Sequence, residues 1–252
     1  MVPVPQEPDL DNASGGRAFG VAAKFQLHLI TEPRGDFAGL VVALRRAAEG
    51  GVTWVQLRDK QASQRVLFQQ ATELREVLAA TGTPLSVNDR LDVALAASAA
   101  GVHLSAQGLP VAAAGQIARH LVLGRSVHGL DEACEAALAG ADYLTFGHVF
   151  PTHSKEGLPP RGVVKLAAIV AAVDVPVLAI GGITYDNVEQ VLATGCAGVA
   201  VISAILSESD PRAAAAALRD RLEQSPSWPR RPFPEAMWEE QDLAFDREST
   251  AV

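Results

Sequence analysis

Eight short apolar segments, each followed by a stretch of helical spacing, constrain the fold of this chain more than any other feature. They are Phe25–Ile30, Thr53–Leu57, Leu85–Asn88, Gly101–Leu104, Leu121–Ser126, Tyr143–Phe146, Val177–Ile180 and Val199–Ile202. Their residues are mostly apolar and often β-branched, as in strands buried on both faces of a parallel sheet. The intervening stretches carry helix signals. Asp36 caps the first, Leu40, Leu44 and Ala47 or Ala48 share one face, and Gly50 and Gly51 stop it. Ser63 caps the second, with Val66, Leu67, Leu74 and Leu78 at helical spacing and Gly82 as its stop. Thr184 and Gly195 bracket the seventh, and Asp210-Pro211 opens the eighth with proline at the first helical position. Eight βα units in about 200 residues predict the α/β class and a single (β/α)8 TIM barrel. A doubly wound open sheet is the alternative. It would usually carry a glycine fingerprint after its first strand, and LITEPRGD has none.

The ends of the chain read differently. Residues 1–22 are rich in Pro, Gly, Asp and Asn without periodicity, which predicts a disordered tail. The barrel is assigned to 23–224. A second flexible tail is assigned to 225–252, where prolines and charges dominate and Trp228, Phe233, Trp238 and Phe245 are available to dock on the barrel. No apolar run reaches the roughly 18 residues of a membrane span. The N-terminus lacks the basic start and apolar stretch of a secretory signal, so the cytoplasm is the expected compartment. A net charge of −8 argues against a nucleic-acid surface, which needs clustered Lys and Arg. Cys134 and Cys196 lack CxxC spacing and read as small buried residues rather than as a disulfide or zinc site. Assembly into a homo-oligomer stays open.

In a barrel of this kind the chemistry sits at the C-terminal ends of the strands. Those ends read Thr31-Glu32, Gln56-Leu-Arg58-Asp-Lys60, Asn88-Asp89-Arg90, His103-Leu-Ser105, Ser126-Val-His128, Gly147-His148, Gly181-Gly182 and Ser203. Gly181 and Gly182 precede a helix N-terminus, where backbone amides and the helix dipole suit a phosphate, and the Val201–Ala204 segment adds further donors. The loop from Gly147 to Gly162 is longer than ordinary βα connections and reads as a lid, with Lys155 and Arg161 as mobile positive charge or, more plainly, as a solvated loop. Of the histidines, His120 reads as inert, His28 and His103 as hydrogen-bonded lining residues, and His153 as part of the lid. His128 sits where a general base could reach a substrate, and His148 has a similar position.

From about Leu27 to Leu206 the sequence resembles the thiamine phosphate synthase/thiazole tautomerase superfamily. The resemblance is carried by VQLRDK (55–60), VNDRLDVAL (87–95), GVHL (101–104), GRSVH (124–128), FGHVFPT (146–152), KEGLPP (155–160), VPVLAIGGIT (175–184) and GVAVISAI (198–205). It covers about 70% of the chain in the right order. The superfamily implies an enzyme of thiamine biosynthesis that binds a phosphorylated thiazole. One branch couples a hydroxymethylpyrimidine pyrophosphate to thiazole phosphate with Mg²⁺ held partly by two carboxylates. The other moves a proton to aromatise a carboxythiazole phosphate and needs no cofactor.

Three departures from the synthase pattern favour the tautomerase. Ser105-Ala106-Gln107-Gly108 stands where synthases place a GQxD-type stretch, SVH replaces STH, and FGHVF replaces a GPIF-type pattern. The expectation is therefore an isomerase, a thiazole tautomerase with His128 as acid/base. The resemblance places the phosphate on Gly181, Gly182 and Ser203, and the substrate carboxylate near Arg58 and Lys60. Gln56, Asn88, Ser126, His148 and Lys155 complete the binding residues. The alternative is a Mg²⁺-dependent thiamine phosphate synthase with Asp89 as metal ligand, to which Gln56, Arg58, Lys60, Asn88, Asp89 and Lys155 also match. A non-catalytic regulatory relative, docking a partner through the aromatic tail, is the reading from a different class.

Overall fold

A computed structural model describes residues 24–32 and 35–234. Eight parallel strands close into a barrel in sequence order, with β1 paired to β8. They are β1 (Gln26–Ile30), β2 (Trp54–Leu57), β3 (Leu85–Asn88), β4 (Gly101–Leu104), β5 (Val122–Val127), β6 (Tyr143–Gly147), β7 (Val177–Ile180) and β8 (Gly198–Val201). The helices α1 (Phe37–Glu49), α2 (Gln64–Ala79), α3 (Leu91–Ala96), α4 (Val111–Ile117), α5 (Leu130–Leu138), α6 (Gly162–Ala172), α7 (Val188–Leu192), α8 (Ser203–Leu206) and α9 (Pro211–Gln224) follow them. The chain is thus a (β/α)8 TIM barrel, as the alternation predicts, and the open sheet is excluded by its closure.

Local signals explain most boundaries. Asp36 caps α1 by accepting from the Gly39 amide, and Ser63 caps α2 by accepting from the Val66 amide. Leu40, Leu44, Ala47 and Ala48 bury one face of α1. On α2 the buried stripe is Leu67, Ala71, Leu74 and Leu78, a run at i, i+4, i+7 and i+11 that turns Val66 to the surface. Two helices differ from expectation. The α7 helix starts only at Val188, because the Asn187 side chain accepts the Thr184 amide and holds 184–187 as a turn. A short extra helix, α8, follows β8 directly, so Asp210-Pro211 opens the ninth helix and not the eighth.

The N-terminal mouth is closed by the chain itself. Residues 225–234, expected as flexible tail, lie across it and put Phe233 among Trp54, Val122, Tyr143, Leu178 and Ala197. The Arg230 amide donates to the Gly195 carbonyl, Arg231 pairs with Asp174 at 2.6 Å, and Lys24 donates to the Ser225 carbonyl and covers the Trp228 ring. Docking was thus legible in the aromatics, though Trp238 and Phe245, like residues 1–22, lie outside the described residues. Cys196 is buried and Cys134 half-buried, both as free thiols. No helix among the described residues is long and apolar enough to cross a membrane.

Candidate active site

At the C-terminal mouth, strand register brings polar side chains from neighbouring strands side by side. Asn88 lies level with His103, and Ser126 with Thr145. Gln56 donates from Nε2 to Asn88 Oδ1 at 2.9 Å, and Asn88 donates from Nδ2 to Asp89 Oδ2 at 2.8 Å. The other carboxylate oxygen of Asp89 accepts the Ser105 amide at 2.6 Å. Asp89 has φ +60°, a left-handed conformation that non-glycine residues rarely adopt and that occurs preferentially at functional sites. The segment 105–109 is fastened from outside by Arg125, whose guanidinium donates to the carbonyls of Ser105, Ala106 and Leu109.

The next strand end supplies cations. Thr31 Oγ1 accepts the Arg58 amide at 2.8 Å and donates to the Arg58 carbonyl at 3.2 Å, which fixes the Arg58 backbone to the end of β1. Asp59 accepts the amides of Gln61 and Ala62 and folds the turn that leaves Lys60 exposed. No described residue bonds the Arg58 guanidinium.

On the far side of the ring, β7 and β8 end in bare amides. Gly181 (φ +97°) and Gly182 (φ +65°) need glycine twice over: their conformation is left-handed, and a Cβ on either would strike the start of the lid at His148 or Phe150 and Pro151. The amides of Gly182, Ser203 and Ala204 have no backbone acceptor among the described residues. Amides so placed suit an anionic ligand.

The lid is tied down more firmly than a sixteen-residue loop rich in glycine and proline suggests. Val149 and Phe150 donate their amides to the Ile180 and Gly181 carbonyls, extending the pairing of β6 with β7. Arg161, expected as mobile charge, instead donates to the Gly147 and His128 carbonyls at 2.9 Å each. Lys155 is exposed, and Ser154 beside it donates to Glu32 across the mouth at 3.2 Å.

Below the rim, burial governs the histidines. His28 and His103 are buried, which pushes their imidazoles down to about 3 and about 4, so both are neutral at pH 7. His103 meets Ser126 Oγ at 2.8 Å and Tyr143 Oη at 3.1 Å, as a lining residue should, whereas His28 makes ring contacts with Trp54, Tyr143 and Phe233 and leaves Nε2 without a partner. His148 is buried beneath the lid with Nε2 on the Leu158 carbonyl at 3.2 Å. His128 is half-buried at the rim. Its amide donates to Glu132 at 2.7 Å, and its Nδ1 is buried without a partner. Arg125, Tyr143, Ser86 and Thr145 went unremarked in the sequence. The available signal was polar residues in strands otherwise apolar, at positions whose alternation points them to the barrel axis or the 105–109 loop.

Fold and mouth together define an α/β-barrel enzyme with two facing halves, one carrying side-chain cations and amides, the other backbone donors. This chain belongs to the thiamine monophosphate synthase family, whose model matches residues 27–205. It is 42% identical over 201 residues to the thiamine-phosphate synthase of Pyrococcus horikoshii, covering 80% of this chain and 96% of that one. It is 44% identical over 207 residues to that of Desulfitobacterium hafniense (strain Y51), covering 79% and 98%. Among solved structures it resembles a thiamine phosphate pyrophosphorylase from Pyrococcus furiosus, with TM-score 0.73, 40% identity and coverage of 81% and 98%.

These relatives overturn the tautomerase expectation and the isomerase class with it, since they are named synthases. The geometry explains why the three departures misled. Val127 and Val149 are core residues at 1% exposure, and His148 packs under the lid, so the SVH and FGHVF forms differ from the synthase pattern in packing positions.

Proposed function

We propose that this enzyme is a thiamine phosphate synthase, joining a hydroxymethylpyrimidine diphosphate to a thiazole phosphate. In that reaction the thiazole nitrogen forms a C–N bond to the pyrimidine's methylene carbon. The C–O bond to the diphosphate breaks, and its electron pair leaves with pyrophosphate. The observation that carries this reading is the division of the mouth. In an eight-stranded ring β3 faces β7, so the Gln56–Asn88–Asp89 chain and the Arg58–Lys60 cations stand across the axis from the bare amides after β7 and β8. Two facing anion-ready halves suit two phosphorylated substrates held together, which lowers the entropic cost of their encounter.

In this reading Arg58, Lys60 and Lys155 neutralise the diphosphate as charge builds on it, and the Gln56–Asn88 pair presents amide groups to the pyrimidine. Gly181, Gly182 and Ser203 hold the thiazole phosphate, and Ser126 lies between the halves. His148 contributes from beneath the lid by shaping it, and His128 by closing the rim. A biosynthetic role also accords with the cytoplasmic setting expected from the sequence.

A diphosphate leaving group ordinarily draws on Mg²⁺, with Asp89 as the matching ligand. The donors here do not form the two-carboxylate site. Both Asp89 oxygens are engaged by the Ser105 amide and Asn88, and a Cβ on Gly108 would stand 2.5 Å from Asp89 Oδ1. Among the described residues no three His, Cys, Asp or Glu side chains gather into a metal-binding group. Each Asp89 oxygen accepts one hydrogen bond and keeps a further lone pair, so Asp89 is the residue that would hold Mg²⁺ together with the substrate's phosphate oxygens, while Arg58, Lys60 and Lys155 would add to the charge neutralisation.

The test is turnover by the purified full-length chain given both substrates. Thiamine phosphate and pyrophosphate should appear in equal amounts, and omitting either substrate should stop both. Product absent under these conditions refutes the assignment.

A further inference from the structure

The helix α6 differs from the other long helices on the outside of the barrel. Among its eleven residues only Lys165 has a polar side chain, and its core side is filled by Leu166, Ile169 and Val170. On the other side Val164 is 81% exposed, with Ala168, Ala171 and Ala172 exposed beside it. The longer α2 and α9 turn Glu73, Glu76, Arg212, Asp220 and Glu223 outward instead. A helix that is apolar all round is ordinarily covered on both sides. The neighbouring α5 continues the same surface: Leu138 is 90% exposed, Leu130 is exposed, and Cys134 and Ala137 are half-buried between them. Apolar surface gathered on one face of an otherwise charged molecule marks a site of association.

The charges at this face narrow what covers it. Asp131 and Glu135 are exposed on α5 and Lys165 on α6, and none of the three joins an ion pair among the described residues. Acids at its edge, on a chain of net charge −8, turn away an anionic membrane surface. The face instead complements itself. Both helices run from the open mouth toward the sealed one and pack side by side, so their early residues share one level and their late residues another. A two-fold axis parallel to the barrel lays α5 of one copy on α6 of a second, and the reverse, as a self-complementary contact requires. Leu138, the last residue of α5, then falls on Ala171 and Ala172, the last two of α6. Val164, third in α6, falls against Leu130 and Cys134 in the first half of α5, and Lys165 beside it falls against Asp131 and Glu135. One operation thus sets large side chains against small ones and a cation against anions.

We infer that α5 and α6 form the interface of a symmetric homodimer, with Leu138 and Val164 as its apolar anchors and Lys165 facing the acids of the second copy. Both open mouths then point the same way and stay uncovered. The inference stands whatever reaction the mouth performs.

Sedimentation velocity on the full-length chain at micromolar concentration tests it, and should show a species of twice the chain's mass. Val164→Lys and Leu138→Lys each push a charge into the apolar contact and should raise the dissociation constant about 100-fold. Both positions are exposed in the single chain, so the circular dichroism of the barrel should not change. Val66→Lys, at an exposed apolar position on α2 away from this face, should leave the dimer intact. Lys165→Glu sets like charges against Asp131 and Glu135 and should weaken association about tenfold at low salt. A monomeric wild type overturns the inference and leaves the face to residues 235–252 or to another protein. A dimer that survives Val164→Lys and Leu138→Lys together lies on another surface and overturns it equally.

Discussion

At the N-terminal mouth, Trp54, Val122, Tyr143, Leu178, Ala197 and Phe233 close the barrel with apolar and aromatic surface contributed partly from beyond α9. At the C-terminal mouth, thirteen or so ångströms of strand away by the rise of four residues, the same strands end in Gln56, Asn88, Ser126 and glycine. One end is filled by packed apolar and aromatic side chains. The other leaves cations and amides unpaired among the described residues. The difference shows how one set of strands, four to six residues long, serves stability at its first residues and chemistry at its last.

This contrast can be broken from either side. Arg58→Ala removes charge from the open mouth and should lower kcat/KM about 100-fold, with little change in melting temperature. Comparable losses of activity and stability together would mean that Arg58 holds the barrel and not a substrate. Phe233→Ala should do the reverse. A buried aromatic replaced by alanine costs about 3 kcal/mol, read as a lower denaturant midpoint, while kcat remains within about threefold. A sealed mouth that could be opened without loss of stability would make the docked segment incidental.

Acid sharpens the comparison at the level of the buried histidines. Their folded-state values lie below the ordinary 6.5, at about 4 for His103 and about 3 for His28. Between those values and 6.5 the unfolded chain binds more protons, so stability is fullest above pH 6.5 and falls as the pH drops toward 4. Replacing His28 with Gln should flatten part of that fall in a denaturation series, and an unchanged slope would contradict its neutrality. The smallest effect concerns metal. Titrated with Mn²⁺ and no substrate, the chain should show no tight site by electron paramagnetic resonance. Tight binding lost in Asp89→Asn would show that one carboxylate suffices.

Much of this was legible in the sequence. The bounds of β3, β4 and β7 are the predicted ones, because strands buried on both faces stand out as apolar runs between turn residues. The last strand begins at Gly198 instead of Val199: glycine lets the backbone approach Gln26 closely at φ +147°, which propensity discourages and tertiary contact demands. The place where Phe233 docks, among Trp54, Val122 and Tyr143, and the fastening of Arg161 to the Gly147 and His128 carbonyls depend on partners far away in sequence, which spacing alone does not reveal. The functional branch was misread for a related reason. Val127 and Gly108 were weighed as chemistry, yet Val127 is a core residue and Gly108 leaves room for the Asp89 carboxylate.

The claim that the open mouth holds two phosphorylated substrates at once is tested most directly by calorimetry with inorganic pyrophosphate and thiazole phosphate. Pyrophosphate should bind the chain already saturated with thiazole phosphate at least as tightly as it binds the free chain, and Arg58→Ala should weaken pyrophosphate alone. Mutual exclusion of the two ligands would place both in one half of the mouth and contradict the account.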